Sequence, residues 1–177
     1  MSSLDWRDAE RSDHAELSEW ICADPPKKIF DSSIGRSYHP EQWALDVQSE
    51  IRDLCPPVGG DDRLVLARDD RGIVGVAYFG FDRGEGEFHM RGLAVAVRAR
   101  RQGIGKQGLT FALDEILAWR AELQVDGGVF ARVHEDNAPS QALLGLAGFE
   151  YIGVTNQYHL QIWALDLAIE AGLIIEV

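Results

Sequence analysis

Four basic side chains, Arg98, Arg100, Arg101 and Lys106, crowd into nine positions around Gly103 and Gly105. They follow the run Leu93-Ala94-Val95-Ala96-Val97 and precede a segment with helical spacing. A strand that enters a glycine loop and then a helix presents unpaired main-chain N–H groups and the positive end of the helix dipole. Without a Cβ, Gly103 and Gly105 let a phosphate come close to the backbone. The chemistry this predicts is capture of an oligoanion. Just upstream, Glu87, His89 and Arg91 alternate, so in a strand all three face one side of the sheet. An imidazole near its ordinary pKa of about 6.5 accepts a proton at neutral pH, directly or through water. His134 and Glu135 end a later predicted strand, either as chemical groups or as a loop that positions Asn137.

Two nucleotide motifs compete for the glycine loop and both fail. A phosphate-binding loop of the Gly-x-x-x-x-Gly-Lys-[Ser/Thr] kind needs wider glycine spacing, and Gln107 follows Lys106. Gly103-x-Gly105-x-x-Gly108 fits the dinucleotide string, but its strand should lie near the N-terminus of a βαβ unit. The acidic residue at the required spacing, Glu122, falls at the end of a predicted helix instead of a strand.

Charge narrows the partners. Of 177 residues, 17 are Lys or Arg and 29 are Asp or Glu, giving a formal net charge of −12. Such a surface repels nucleic acid and anionic membranes; the acidity serves solubility alone, or it weakly attracts cationic partners such as amines. Hydrophobic residues make up 46% of the chain, which excludes a disordered polypeptide. The longest apolar stretch, Ile73–Phe81, is too short to span a bilayer, and the N-terminal residues do not read as a signal peptide. Cys22 and Cys55 make no disulfide framework and lie outside the glycine loop, so thiol catalysis finds no support. The expectation is a cytoplasmic protein of one domain over residues 1–177, with no metal.

The elements that must position these residues alternate along the chain. Helices are predicted over Asp13–Cys22 and from Pro40 to about Leu54, with residues 27–39 an ambiguous polar connection. Strands follow at Leu64–Ala67, Ile73–Phe81 and Glu87 to about Val97, then a long amphipathic helix at Gly103–Leu123. A strand at Gly127–Val133, a helix at Ser140–Ala147, and strands at Phe149–Val154 and about Tyr158 to Leu165 complete the order α-α-β-β-β-α-β-α-β-β. That is an α/β fold: a mixed, mostly antiparallel sheet flanked by helices. Trp20, Trp43 and Trp119 read as core.

Arg100-x-x-Gly103-x-Gly105 after a Leu-Ala-Val strand resembles the acetyl-CoA site of the GNAT superfamily of N-acetyltransferases, whose signature is [Gln/Arg]-x-x-Gly-x-[Gly/Ala]. Asn137-x-x-Ser140-x-x-Leu143-Leu144 followed by Gly148-Phe149 is similar to a second segment of that family. The resemblance implies that the backbone of Leu93, Ala94 and Val95 holds the pantetheine arm and polarises the acetyl carbonyl. It also implies that Arg100, Arg101, Gln102, Gly103, Ile104, Gly105 and Lys106 cradle the pyrophosphate, with Asn137 on the pantetheine or beside the thiol. His89, four residues before Leu93, stands where several members carry a base, with Glu87 as an accessory through water. Tyr38 and His39 fall where such folds shape the acceptor pocket.

Two family positions depart. The Tyr that protonates the leaving thiolate in many members is Leu144 here, and a Glu that serves some members as base is Arg132. Tyr151 is a candidate substitute acid or simply core. The resemblance therefore implies direct acetyl transfer to a primary amine of a small molecule or peptide, in a chain that also admits homodimerisation. The alternative is an inactive acyl-CoA-binding module with a regulatory or sensing role.

Overall fold

Apolar residues are densest between Leu64 and Phe81, and in the computed structural model they form the buried centre of one sheet. Residues 4–155 and 159–167 are described. The chain opens with β1 (Trp6–Asp8), a 3-10 turn (Arg11–Asp13) and α1 (His14–Leu17). A small hairpin of β2 (Ile29–Asp31) and β3 (Arg36–Tyr38) precedes α2 (Gln42–Asp53). Then come β4 (Asp62–Asp69), β5 (Gly72–Asp82), β6 (Glu87–Val95), α3 (Ile104–Leu123), β7 (Val129–His134), α4 (Ala138–Leu146), β8 (Glu150–Val154) and β9 (Leu160–Leu165).

Seven strands form one sheet in the order β1-β4-β5-β6-β7-β9-β8. Every neighbouring pair is antiparallel except β6 and β7. Alternation along β6 sorts the two faces. Phe88 and Met90 are buried on the α3 side, where Phe88 meets Trp119 edge-on, and His89 turns to the opposite face, towards α2. The α/β expectation is met, and no helix among the described residues is long and apolar enough to cross a membrane.

The N-terminal third departs from the sequence expectation. A helix over Asp13–Cys22 is not formed; α1 stops at Leu17. Tertiary partners take the backbone beyond it: Arg52 donates to the Trp20 and Glu19 carbonyls, and Gln48 Oε1 accepts from Cys22 N and Ala23 N, both at 3.0 Å. Gln48 Nε2 also donates to the Pro26 carbonyl, so one buried side chain stitches α2 to the segment before the hairpin. Within 27–39, read as a polar connection, lies the β2–β3 hairpin, and β1 was not foreseen at all. Three residues carry too little periodicity to be seen; β1 exists because Trp6, Arg7 and Asp8 pair with Ala67, Leu66 and Val65. The last strand begins at Leu160; Tyr158, where the sequence set its start, and the tail beyond Leu167 lie outside the described residues.

A buried ion cluster closes this end. Asp13, with only 5% of its side chain exposed, takes a bidentate pair from Arg7 at 2.9 Å and a further contact from Arg68. The Arg7 hydrogen bonds, the Glu10 N–H and the Arg68 charge hold the Asp13 carboxyl below its ordinary range, against the opposing effect of burial. A depressed carboxylate stabilises the fold above its unfolded pKa of about 3.9, and that contribution is lost as pH falls through the lower folded value. Asp13→Asn should therefore cost about 1–3 kcal/mol at neutral pH, and the difference from the parent chain, read by denaturant unfolding, should vanish in acid.

Candidate active site

Strands β6 and β7 pair for only three rungs, Phe88 with Val129, His89 with Phe130 and Met90 with Ala131. Beyond them the strands part. A bulge sets the parting: Tyr78 pairs with Gly92 and Phe79 with Met90, so Arg91 is an extra residue on β6. Such a bulge bends and twists its strand, and Arg91 is fixed by its ion pair to Asp62 at 2.8 Å. The edge of β6 from Gly92 to Val95 then faces a gap in place of a neighbour.

At the far end of β6 the chain reaches the glycine loop. Gly103 caps α3 with φ +76°, a left-handed conformation that suits glycine, and no side chain caps the helix. The first helical hydrogen bond runs from Gln107 N–H to the Gly103 carbonyl at 3.1 Å. The N–H groups of Ile104, Gly105 and Lys106 therefore have no acceptor among the described residues. An added Cβ on Gly105 would come no nearer than 3.6 Å to Leu143 and 3.7 Å to Val95, so that glycine sits where α4 and β6 converge. The loop's charge is divided. Arg98 pairs with Asp69 at 2.6 Å, and Arg100 donates to the Cys22 carbonyl, so both serve the scaffold. The Arg98 guanidinium holds the Asp69 carboxyl down to about 2. Arg101 and Lys106 are exposed and form no ion pair among the described residues.

A cleft of about 680 Å³ opens between β6, β7, α2 and α4. His89, Leu93, Phe130, His134, Asn137 and Leu144 line it. His89 Nε2 is shielded from solvent and lies 3.2 Å from Glu85 Oε2, off the hydrogen-bonding direction and with no other partner. Glu87 does not reach the cleft wall; Glu85, in the turn before β6, occupies that side of His89 with Asp82. Asp82, Glu85 and His89 bring their polar atoms within 4.8 Å of one another. Backbone N–H groups of Glu85 and Gly84 hold the Asp82 carboxyl below its ordinary range. Across the cleft stand Asp46 and Glu50 of α2, and burial pushes Glu50 upward despite the Arg91 charge.

Other expected site residues land as follows. Asn137 caps α4, its Oδ1 accepting from Ser140 N at 3.3 Å, which leaves its amide N–H groups to the cleft. Leu93 lines the cleft directly; Ala94 and Val95 continue the same strand toward the loop. Trp43 is a correction. It is not core like Trp20 and Trp119 but a half-buried wall of the cleft, stacked on His134 with ring centroids 4.7 Å apart. His39 is buried by its own bonds, Nε2 donating to the Pro25 carbonyl at 2.7 Å and Nδ1 accepting from Glu41 N. Tyr38 and Tyr151 are exposed and line no part of the cleft. Sequence reasoning missed Asp46, Glu50, Asp82 and Glu85; the one legible signal was the acid-rich turn Asp82–Glu85 four residues before His89.

The sequence model of the acetyltransferase (GNAT) family matches residues 14–149. This chain belongs to that family. No curated protein sequence matches it. Among solved structures, the GNAT chain is similar to the PaiA N-acetyltransferase of Thermoplasma acidophilum in complex with coenzyme A, at 15% identity and a TM-score of 0.63, covering 93% of this chain and 99% of that one. It is also similar to a spermidine N-acetyltransferase chimera from Vibrio cholerae and hSSAT, at 14% identity and 0.64, covering 95% and 98%. An acetyltransferase of Thermus thermophilus follows at 18% and 0.58, covering 94% and 98%. At these identities the likeness is one of fold.

Gly108, one turn into α3, serves packing. A Cβ on Gly108 would lie 2.5 Å from Trp6 Cη2, because the indole of β1 is wedged between α3 and Gly75 of β5. This GNAT chain thus uses the third glycine of its Gly-x-Gly-x-x-Gly string to seat an edge strand. Gly108→Ala should lower stability by about 1–3 kcal/mol, read as a lower thermal midpoint with CD retained below it.

Proposed function

We propose that this protein is an acetyl-CoA-dependent N-acetyltransferase, acting in the cytoplasm on a primary amine of a small molecule or peptide that carries further positive charge. The observation that carries the reading is His89: a solvent-shielded imidazole nitrogen, partnered only by a carboxylate, at the closed end of the gap between β6 and β7. The residues present fit acetyl-CoA. Free N–H groups at 104–106, a glycine cap at Gly103 and the exposed Arg101 and Lys106 suit a diphosphate, with Arg100 and Gln102 shaping the loop. The unpaired edge of Leu93, Ala94 and Val95 suits an amide-bearing arm, and Asn137 offers it a donor.

In this reading the acceptor enters as an ammonium from the acidic side, between Asp46 and Glu50 on one wall and Asp82 and Glu85 on the other. His89 removes its proton, and Glu85 takes the supporting role that the resemblance implies for Glu87. The free amine attacks the thioester carbonyl, whose developing oxyanion is met by main-chain N–H of the Leu93–Val95 segment. No covalent enzyme intermediate is required. A second reading, an inactive acyl-CoA-binding module, is favoured by Leu144, which is buried in the cleft where many relatives carry a tyrosine acid.

Calorimetry with acetyl-CoA, followed by thiol release across a panel of amines, separates the two. The enzyme turns over at least one amine, and His89→Ala lowers kcat by about 10²–10⁴-fold while affinity for acetyl-CoA persists. Binding without turnover for any amine supports the module; absence of binding refutes both. Acceptor charge has its own signature. Because burial raises the Glu50 pKa, its attraction for a cation should fade as pH falls, beginning above the usual carboxylate range. Glu50→Gln should raise KM for a diamine by about 3–10-fold and leave KM for acetyl-CoA unchanged.

A further inference from the structure

The reaction proposed above needs something to meet the departing sulfur, and the residue expected there is an apolar one, Leu144. Across the gap from the acetyl-holding strand stands a different candidate. Beyond the last paired rung, Met90 with Ala131, the two strands diverge, and Leu93 of β6 and His134 of β7 both line the cleft between them. Phe130 and His134 alternate with buried Val129, Ala131 and Val133, and so face the His89 side of the sheet.

The ring is held in one orientation and one tautomer. Trp43 stacks on it at an interplanar angle of 20°. The main-chain N–H of Asp136 donates to Nδ1 at 3.2 Å, so in the neutral ring the proton sits on Nε2. Among the described residues nothing bonds to Nε2, while the ring lines the same cleft as Asn137 and Leu144. Its charged and titratable neighbours are the Asp136 carboxylate, 3.8 Å from Nδ1, and His159, whose ring centroid lies 6.3 Å away and which engages Glu135 at 2.8 Å.

We propose that His134 is a catalytic residue of the transfer: its Nε2–H donates to the coenzyme A sulfur as the thioester breaks. The inference rests on the acetyltransferase reading. The amine lone pair forms the C–N bond, the tetrahedral adduct collapses, and the C–S bond breaks with its electron pair passing to sulfur. The amine proton leaves through His89. Sulfur departs as a thiolate stabilised by the Nε2–H, keeps that hydrogen bond until release, and is protonated by solvent afterwards. His134 remains neutral throughout, acting as a hydrogen-bond donor where relatives use a proton donor. A hydrogen bond to the charged form lowers a pKa, so the bound thiol must show the same donor at equilibrium.

Two variants and one titration test this on the full chain. His134→Phe keeps a ring to stack on Trp43 and removes the donor; His134→Gln restores an N–H. Expected is a fall in kcat of about 10–100-fold in His134→Phe with KM for acetyl-CoA unchanged, and recovery of most of it in His134→Gln. In the complex with coenzyme A, the ultraviolet absorbance of the thiolate should titrate about one pH unit below free coenzyme A for the parent protein, and at the free value for His134→Phe. A parent complex that titrates like free coenzyme A overturns the proposal, whether or not either variant folds. So does a His134→Phe protein with parental kcat. If the parent protein binds no coenzyme A, the acetyltransferase reading itself fails; the first two results overturn His134 alone.

Discussion

Three rungs of parallel hydrogen bonding between β6 and β7, and no more, set the geometry of this chain. Where the ladder stops, main-chain groups at the heart of a sheet lose their partners, and buried N–H and C=O groups need replacements. The cause is local: the Arg91 bulge bends β6, and the Arg91–Asp62 pair anchors the bend. On the far side, β9 holds β7 along its whole length, from Val129 with Leu165 to His134 with Leu160. One strand bends while its neighbour is kept straight, and a gap results. Helix α3, starting at the mouth of that gap, adds its own unpaired N–H groups to the freed edge of β6.

The charge of the chain is sorted about this gap. A net −12 alone suggests an undifferentiated acidic surface. Instead Arg98 and Arg100 are consumed by Asp69 and the Cys22 carbonyl, and the loop keeps Arg101 and Lys106 beside its N–H groups. The cleft wall collects Asp46, Glu50, Asp82 and Glu85 against Arg132 and the Asp62-paired Arg91. Several carboxylates on one wall add their fields and raise the local concentration of a cation. Under the proposed function, the diphosphate of an acyl thioester is drawn to the loop and a cationic acceptor to the acidic wall, without either competing for the other's place.

Legibility from sequence followed the locality of the forces. The signature helix was readable nearly to its ends, Ile104–Leu123 against an expected Gly103–Leu123, because its cap and its apolar stripe are encoded within the segment itself. Strands β4 to β6 came through for the same reason. The first helix was misjudged because Gln48 and Arg52, some thirty residues away, claim the backbone of Glu19, Trp20, Cys22 and Ala23. Nothing near those residues announces that. Trp43 fits a helical apolar spacing whether its ring meets core or cleft; only the partner, His134, distinguishes them. Strand alternation points from His89 back to Glu87 and passes over Glu85, yet the turn Asp82–Glu85 curls its carboxylates onto the imidazole.

Leu144 is the position where family expectation and this chain part most sharply, and its burial changes what is needed nearby. A sulfur leaving among Leu143, Leu144 and Leu160 would shed charge into an apolar wall, where an unpaired anion is costly and a single well-aimed donor counts for more than in water. A tyrosine there would bring its own acid. With leucine there, a donor to that sulfur under the proposed reaction comes from the other wall of the cleft, which β7 supplies. His134 is oriented from both sides, by Trp43 against its face and Asp136 against its Nδ1. The half-buried position of Trp43, which periodicity assigned to the core, then acquires a reason: it holds that imidazole in place while leaving Nε2 open to the cleft.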